Sequence, residues 1–292
     1  SRSLEELLVH LARPDDATLW AKRRQTVADA IDRHAWDGQW YHRMYLADTG
    51  RILGTKKAKW GKIFLEPQVW AALCRSIDPA RAQKAMDAAR KILATPFGLK
   101  IVAPPCPNHD IEVGSLGILN MGFKENGSVY SHVNAWAVCA EAVLGRGDLA
   151  FKTFMDYQPI SRNDQADIRE IEPYAINAQT QAEPFIKPGR GRNAWVTGST
   201  TWNWVAATQY ILGVTAEFDG LRINPCIPAD WPGFTASRKF RGGLYAITVK
   251  NPNRLNTGVK RLIVNGQPVD GDIAPLPTRR NQKITVEATL EK

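Results

Sequence analysis

The apolar residues of this 292-residue chain change their period once, near Gly213, and that change constrains the fold more than any other feature. Upstream they recur at helical spacing; downstream they alternate, and a pattern of one period does not suit an element of the other. Pro14-Asp15-Asp16-Ala17-Thr18 reads as a helix start, with Leu19, Val27 and Ile31 following on one inward stripe. Glu66-Pro67 opens a second helix through Val69, Leu73 and Ile77. Asp78-Pro79, a cap followed by proline in the first turn, opens a third that carries Ala82, Met86, Ala89 and Leu93. Further helices are expected over 132–144, with Trp136, Ala140 and Val143 inward, over 148–157, and over 199–212. Gly145 and Gly213 end the first and last of these. Paired helices of this kind are expected to form part of an α/α barrel over residues 1–213. The segments 221–223, 234–240, 244–249, 259–264 and 283–288 read as strands, with turns at Gly242-Gly243 and Asn265-Gly266. They predict an antiparallel β-sandwich over 214–292 with a packing role, so the expected class is mainly α with a β domain.

Composition narrows the partners. Lys and Arg exceed Asp and Glu by a net charge of +9, which favours anionic ligands. The cations are scattered; Lys56, Lys57, Lys59 and Lys62 are the nearest approach to a run, and Trp60 interrupts it. No helix-turn-helix or zinc-finger spacing is present, so nucleic acid is not an expected partner, whereas phosphate or an acidic sugar fits the charge. Cys74, Cys106, Cys139 and Cys226 are too far apart for a zinc pair, and a reducing, cytoplasmic compartment is the expectation. No signal peptide and no apolar run of membrane length is found, so no membrane partner is expected in this segment. The chain has ten Trp, which serve cores and also match the apolar faces of sugars.

The long segments 95–131 and 158–198 between helices are where function is expected. Lys124-Glu125-Asn126-Gly127-Ser128-Val129-Tyr130-Ser131-His132 gathers a cation, a carboxylate, an amide and an imidazole before a helix start. Such a start attracts anions, and the same residues also read as a turn and a cap. Trp195-Val196-Thr197-Gly198-Ser199-Thr200-Thr201-Trp202 puts hydroxyls and a glycine before another helix, which suits phosphate or simply caps the helix. It lacks the ending of a Walker loop. Glu172-Pro173-Tyr174, with Gln179 behind it, offers hydrogen bonds to sugar hydroxyls, and Trp36-Asp37-Gly38-Gln39-Trp40-Tyr41 is either a sugar platform or an apolar helix end. A two-carboxylate mechanism needs an acid and a base. Glu125, Glu172 and Asp37 are candidates, and nothing in their spacing fixes a pair.

Taken together, these segments resemble glycoside hydrolase family 94, which includes cellobiose, chitobiose and cellobionic acid phosphorylases and the C-terminal module of cyclic β-1,2-glucan synthase. The resemblance runs through Ala35-Trp36-Asp37-Gly38-Gln39-Trp40-Tyr41, Gly61-Lys62-Ile63-Phe64-Leu65, Lys124-Glu125-Asn126-Gly127, Glu172-Pro173-Tyr174 and Thr197-Gly198. It continues through Tyr210-Ile211-Leu212-Gly213, Asp219-Gly220-Leu221-Arg222-Ile223 and Pro225-Cys226-Ile227-Pro228. It implies the C-terminal part of an (α/α)6 barrel followed by a jelly-roll-like β-sandwich. It also implies inverting phosphorolysis of a β-linked glucobiose, of cellobiose or cellobionic acid type, to α-glucose 1-phosphate. No cofactor is implied, inorganic phosphate being the co-substrate, and the full-length parent is expected to be a homodimer. Two other readings remain open: a phosphorylase-like module of a glucan synthase, and a non-catalytic carbohydrate- and phosphate-binding half that acts with a partner. His132, Thr197 and Gly198 match phosphate-binding positions. Lys124 and Glu125 match sugar-site positions, as does Gln179 at a spacing from Glu172-Pro173-Tyr174 that is one residue off. Lys57-Ala58-Lys59-Trp60 departs from the family toward basic residues, marking either an acidic acceptor or an exposed loop. Phosphate attack needs no base but does need an acid on the leaving oxygen. The family's acid, the aspartate of a Gly-Asp-Trp-Asn-Asp-like motif, has no counterpart here and is expected upstream of Ser1. The isolated chain is therefore expected to release no sugar 1-phosphate from cellobiose and phosphate; measurable release would turn attention to Asp37 or Glu125.

Overall fold

The computed structural model describes residues 2–195 and 197–291. Its helices are α1 (Arg2–His10), α2 (Pro14–His34), α3 (Leu65–Leu73), α4 (Pro79–Leu93), α5 (Ser131–Val143), α6 (Gly147–Tyr157), α7 (Ala166–Arg169) and α8 (Thr197–Val205). Their ends follow local chemistry. The Asp78 carboxylate accepts the Ala80 N–H at 2.9 Å, and Pro79 fills the first turn of α4, where no N–H is needed. Ala82, Ala85, Met86, Ala89 and Leu93 then form its buried face. Gly145 follows α5 with φ +73. Beyond α8 the chain widens into a π-helical turn, Ala206–Ile211.

The chain divides into two compact units: residues 1–140 with 153–202, and residues 141–152 with 203–292. In the first, α1 packs on α2 and α3 on α4. The inward stripe expected on α2 is not inward. Leu19, Val27 and Ile31 are 45%, 59% and 41% exposed, while Ala17 and Ala28 are buried. The buried side of α2 thus carries small residues, and its larger apolar residues lie on the exposed side. Short two-residue strands stitch the connecting segments, among them Ile63–Phe64 with Val102–Ala103 and Val129–Tyr130 with Gln179–Thr180.

The second unit holds two sheets. Val214–Ala216, Gly220–Ile223 and Ile273–Pro275 form one, all antiparallel. The other runs in spatial order Gly233–Phe240, Gly243–Lys250, Lys283–Leu290, Val259–Val264 and Gln267–Val269. Alternation sorts its faces: Tyr245, Ile247 and Val249 are buried between more exposed neighbours, as are Ile284 and Val286. Asn265 and Gly266, at φ +52 and +80, make the tight turn of a hairpin. The sheet is not wholly antiparallel as expected, because Gly243–Lys250 and Lys283–Leu290 pair in parallel. Parallel neighbours need a crossover, and residues 251–282, with three strands of their own, supply it.

Four buried side-chain amides act as substitute peptide units. Asn126 accepts the Cys106 N–H at 2.7 Å and donates to Cys106 O at 2.8 Å and Leu119 O at 2.9 Å. Asn134 holds both backbone groups of Leu99 and adds Tyr130 O; Gln68 does the same to Tyr41 and adds Phe64 O. In the second unit Asn251 holds Leu255 and adds Trp231 O. All four amides are at most 2% exposed. Removing one leaves a buried N–H and carbonyls unpaired. Asn126→Ala is thus expected to cost about 3 kcal/mol, read as a lower urea midpoint, against little for the exposed Lys124→Ala.

Candidate functional site

In the first unit α3 and the starts of α5 and α8 each carry a tryptophan as the helix's sixth residue: Trp70, Trp136 and Trp202. The rings meet edge to face, Trp70–Trp136 at 5.2 Å and Trp136–Trp202 at 5.7 Å between centroids. The N-terminal turn of each helix carries unpaired N–H groups and the positive end of the helix dipole, which favour negative charge. His132, one turn above Trp136, packs on that ring at 4.7 Å and on Trp202 at 6.2 Å. Burial against these indoles pushes the His132 pKa down, so the ring is neutral near pH 7. The indole N–H of Trp136 is buried with no partner among the described residues.

Gly198 faces the same imidazole. A methyl group built on it would lie 3.7 Å from His132 Cε1 and 3.8 Å from Nδ1, which is ordinary contact, and its φ is not in the left-handed range. Gly127 is the opposite case: φ is +100, and a methyl there would come within 2.9 Å of Pro105 Cβ. Gly127 is required by the turn, whereas nothing in the fold requires Gly198. The side chain of Thr197 lies outside the described residues.

Lys124, Glu125 and Gln179 share the neighbourhood. Tyr130 pairs in register with Gln179, and the Gln179 Oε1 accepts the Lys124 N–H at 2.5 Å. Gln179 is 1% exposed, and its Nε2 has no partner among the described residues, leaving a buried donor available. Lys124 and Glu125 are exposed, and Lys124 adopts φ +46. Burial and the adjacent Glu125 carboxylate, to which its hydroxyl hydrogen-bonds, push the Tyr130 pKa up. Thus Gly198 meets His132, and Gln179 meets Lys124 and pairs with Tyr130, two residues before His132.

The other candidates have partners of their own. Asp37 accepts the Lys56 N–H at 2.8 Å and the Gln39 N–H at 3.3 Å, so its carboxylate organises its own loop. Trp40 is 3% exposed with its indole N–H on Gly54 O, and the half-buried Trp36 packs on Tyr41 with the rings tilted at 53°, so Trp40 serves the core of this turn. Glu172 is exposed beside Trp195, whose indole N–H reaches it at 3.4 Å. Lys57 and Lys59 are exposed, and Lys59 lies over Trp60.

Two features escaped the sequence reading. Glu66, in the first turn of α3, pairs with Arg43 at 3.0 Å; burial raises its pKa, Arg43 opposes this, and Glu125 adds to it. Its place in the first turn of a helix was the available signal. Arg169 is 2% exposed and bonds only neutral groups among the described residues: Thr180 Oγ1 at 3.0 Å, Gly189 O at 3.3 Å and Asn177 Oδ1 at 3.5 Å. Burial lowers its pKa to about 10, so it stays charged at neutral pH. It fastens Thr180, the residue after Gln179, and no sequence pattern announced it. Among the described residues no cluster of three His, Cys, Asp or Glu could hold a metal, and no helix is long and apolar enough to cross a membrane.

The family model of the glycosyl hydrolase 94 superfamily catalytic domain matches residues 6–213. An N,N'-diacetylchitobiose phosphorylase of Vibrio proteolyticus is 36% identical over 283 residues, 96% of this chain and 35% of that protein. A solabiose phosphorylase of Paenibacillus borealis is 34% identical over 250 residues, 86% of this chain and 32% of that protein. The chain thus spans about a third of the length of these curated relatives. A solved structure described as a sialidase superposes with a TM-score of 0.54 at 15% identity, covering 81% of this chain and 21% of that one, a likeness of fold alone. With more than half of its residues matched by the family model, the chain belongs to the glycosyl hydrolase 94 superfamily.

Proposed function

We infer that these 292 residues form the phosphate-binding portion of an enzyme that splits a β-linked disaccharide with inorganic phosphate. The observation that carries this reading is Gly198. An alanine would fit its space and suit a helix better by up to about 1 kcal/mol. A glycine that the fold does not require leaves room above His132 for something else. A phosphate there would meet the N-terminal turn of α8 and the neutral His132 imidazole. Lys124, Glu125 and the free Nε2 of Gln179 are the proposed sugar contacts, and the two phosphorylase relatives support the class of substrate.

In this reading the phosphate oxygen attacks the anomeric carbon from the face opposite the leaving sugar. The glycosidic bond breaks with inversion, giving an α-sugar 1-phosphate, and an acid protonates the departing oxygen. Asp37 is committed to its own loop, so the acid is proposed to come from a part of the parent enzyme outside these residues. Residues 1–213 are proposed as the C-terminal part of an (α/α)6 barrel and 214–292 as a jelly-roll-like sandwich. Paired helices and the two sheets support that assignment.

Calorimetric titration of inorganic phosphate into the chain tests the cradle. Gly198→Ala is expected to weaken phosphate at least tenfold while leaving thermal stability unchanged or raised; unaltered phosphate affinity would reject the assignment. His132 gives a second readout. Its folded pKa lies below the unfolded value, so stability is full above the ordinary histidine range and falls as pH drops through it. Bound phosphate must favour the imidazolium, so the NMR titration midpoint of His132 is expected to move up on phosphate saturation. A midpoint insensitive to phosphate would remove His132 from the site.

A further inference from the structure

Tyr174 and Trp195 stand out as a pair. They are 75% and 64% exposed, their ring centroids lie 5.9 Å apart, and the rings are inclined at 59°. Glu172 edges them, accepting the Trp195 indole N–H at 3.4 Å. Trp195 holds this position at φ +65, in the left-handed region that bulky residues avoid, and Asn193 beside it is at φ +56. Such conformations cost on the order of 1–3 kcal/mol each and persist where the surroundings fix them. An indole held this way while exposed gains little from the hydrophobic effect. The pair therefore contributes little to the core, and its chemistry faces outward: two apolar ring faces bordered by a carboxylate.

A β-linked gluco-configured disaccharide presents complementary chemistry. Its equatorial hydroxyls leave flat C–H faces that stack on aromatic rings, and its rim of hydroxyls donates to carboxylates. We propose that Tyr174, Trp195 and Glu172 form a saccharide-binding ledge that takes the leaving sugar, the ring that never bonds phosphate. The proposal rests on the phosphorylase reading, since Trp195 precedes the Gly198 cradle by three residues and a sugar reaching both would span the bond to be split. Glu172 orients that sugar through its hydroxyls and takes no proton in the reaction.

The test is cellobiose binding to the 292-residue chain, followed by saturation-transfer NMR and calorimetry, with inorganic phosphate titrated separately. Trp195→Ala and Tyr174→Ala are each expected to weaken cellobiose about fivefold, the size of one aromatic contact, and Trp195→Phe to restore most of the loss. Phosphate affinity should be the same in all four proteins. Cellobiose affinity unchanged by both alanine variants overturns the ledge, as does absence of cellobiose binding to the parent chain at millimolar concentration. Phosphate separates the two readings. If phosphate binds and cellobiose ignores the rings, the ledge alone fails. If cellobiose depends on the rings and phosphate does not bind, the ledge stands and the phosphorylase reading fails.

Discussion

The first unit depends on primary amides used as though they were backbone. Its helices are joined by long irregular segments that lack extended ladders to satisfy their N–H and carbonyl groups, and burying such groups unpaired is costly. Gln68, Asn126 and Asn134 meet that need by gripping one residue each, at Tyr41, Cys106 and Leu99, across 20 to 35 positions of sequence. Each grip fixes a loop to a helix or turn. Asn126 sits between Glu125 and the turn leading to His132, and Asn134 lies in the first turn of α5. The segment from Lys124 to His132 is therefore held by polar groups that never reach solvent.

How much of this is legible in the sequence depends on whether the signal is local. Asp78-Pro79 and Asn265-Gly266 declare their structures because cap and turn chemistry acts over two or three residues. The alternating strands are found for the same reason. The stripe of α2 is legible as amphipathic, but periodicity does not say which face a neighbour will cover, and the small Ala17 and Ala28 took that role. Parallel pairing of Gly243–Lys250 with Lys283–Leu290 is a property of the path between them, which strand-by-strand reading does not contain. His132 and Gly198 stand out in the sequence because each lies at a helix start, and the structure puts the two in contact. Asn126 was read as a polar participant, yet its hydrogen bonds go wholly to backbone, because its partner Cys106 lies 20 residues away. Arg169 escaped because a buried cation bonded only to neutral groups has no pattern to search for.

The row of Trp70, Trp136 and Trp202 shows how an apolar feature serves a polar site. Edge-to-face contacts have preferred geometry, so the rings tie the three helices to one another through their side chains. The same indoles desolvate His132 and set its charge state. Packing and electrostatics are here consequences of one set of contacts, and a change in ring size at any of the three would alter both.

The Asn126 grip has a further consequence, for the chemical lifetime of the chain. An asparagine followed by glycine is the dipeptide most prone to spontaneous deamidation, because the unhindered glycine nitrogen can attack the side-chain carbonyl carbon and close a succinimide ring. That attack requires the side chain to swing freely over its own backbone. Both ends of the Asn126 amide are engaged elsewhere, and Gly127 is locked in its turn. The native state thereby shields a covalent weak point in its own loop. Each excursion to the unfolded state releases it, so ageing at this position would record how often the unit has opened.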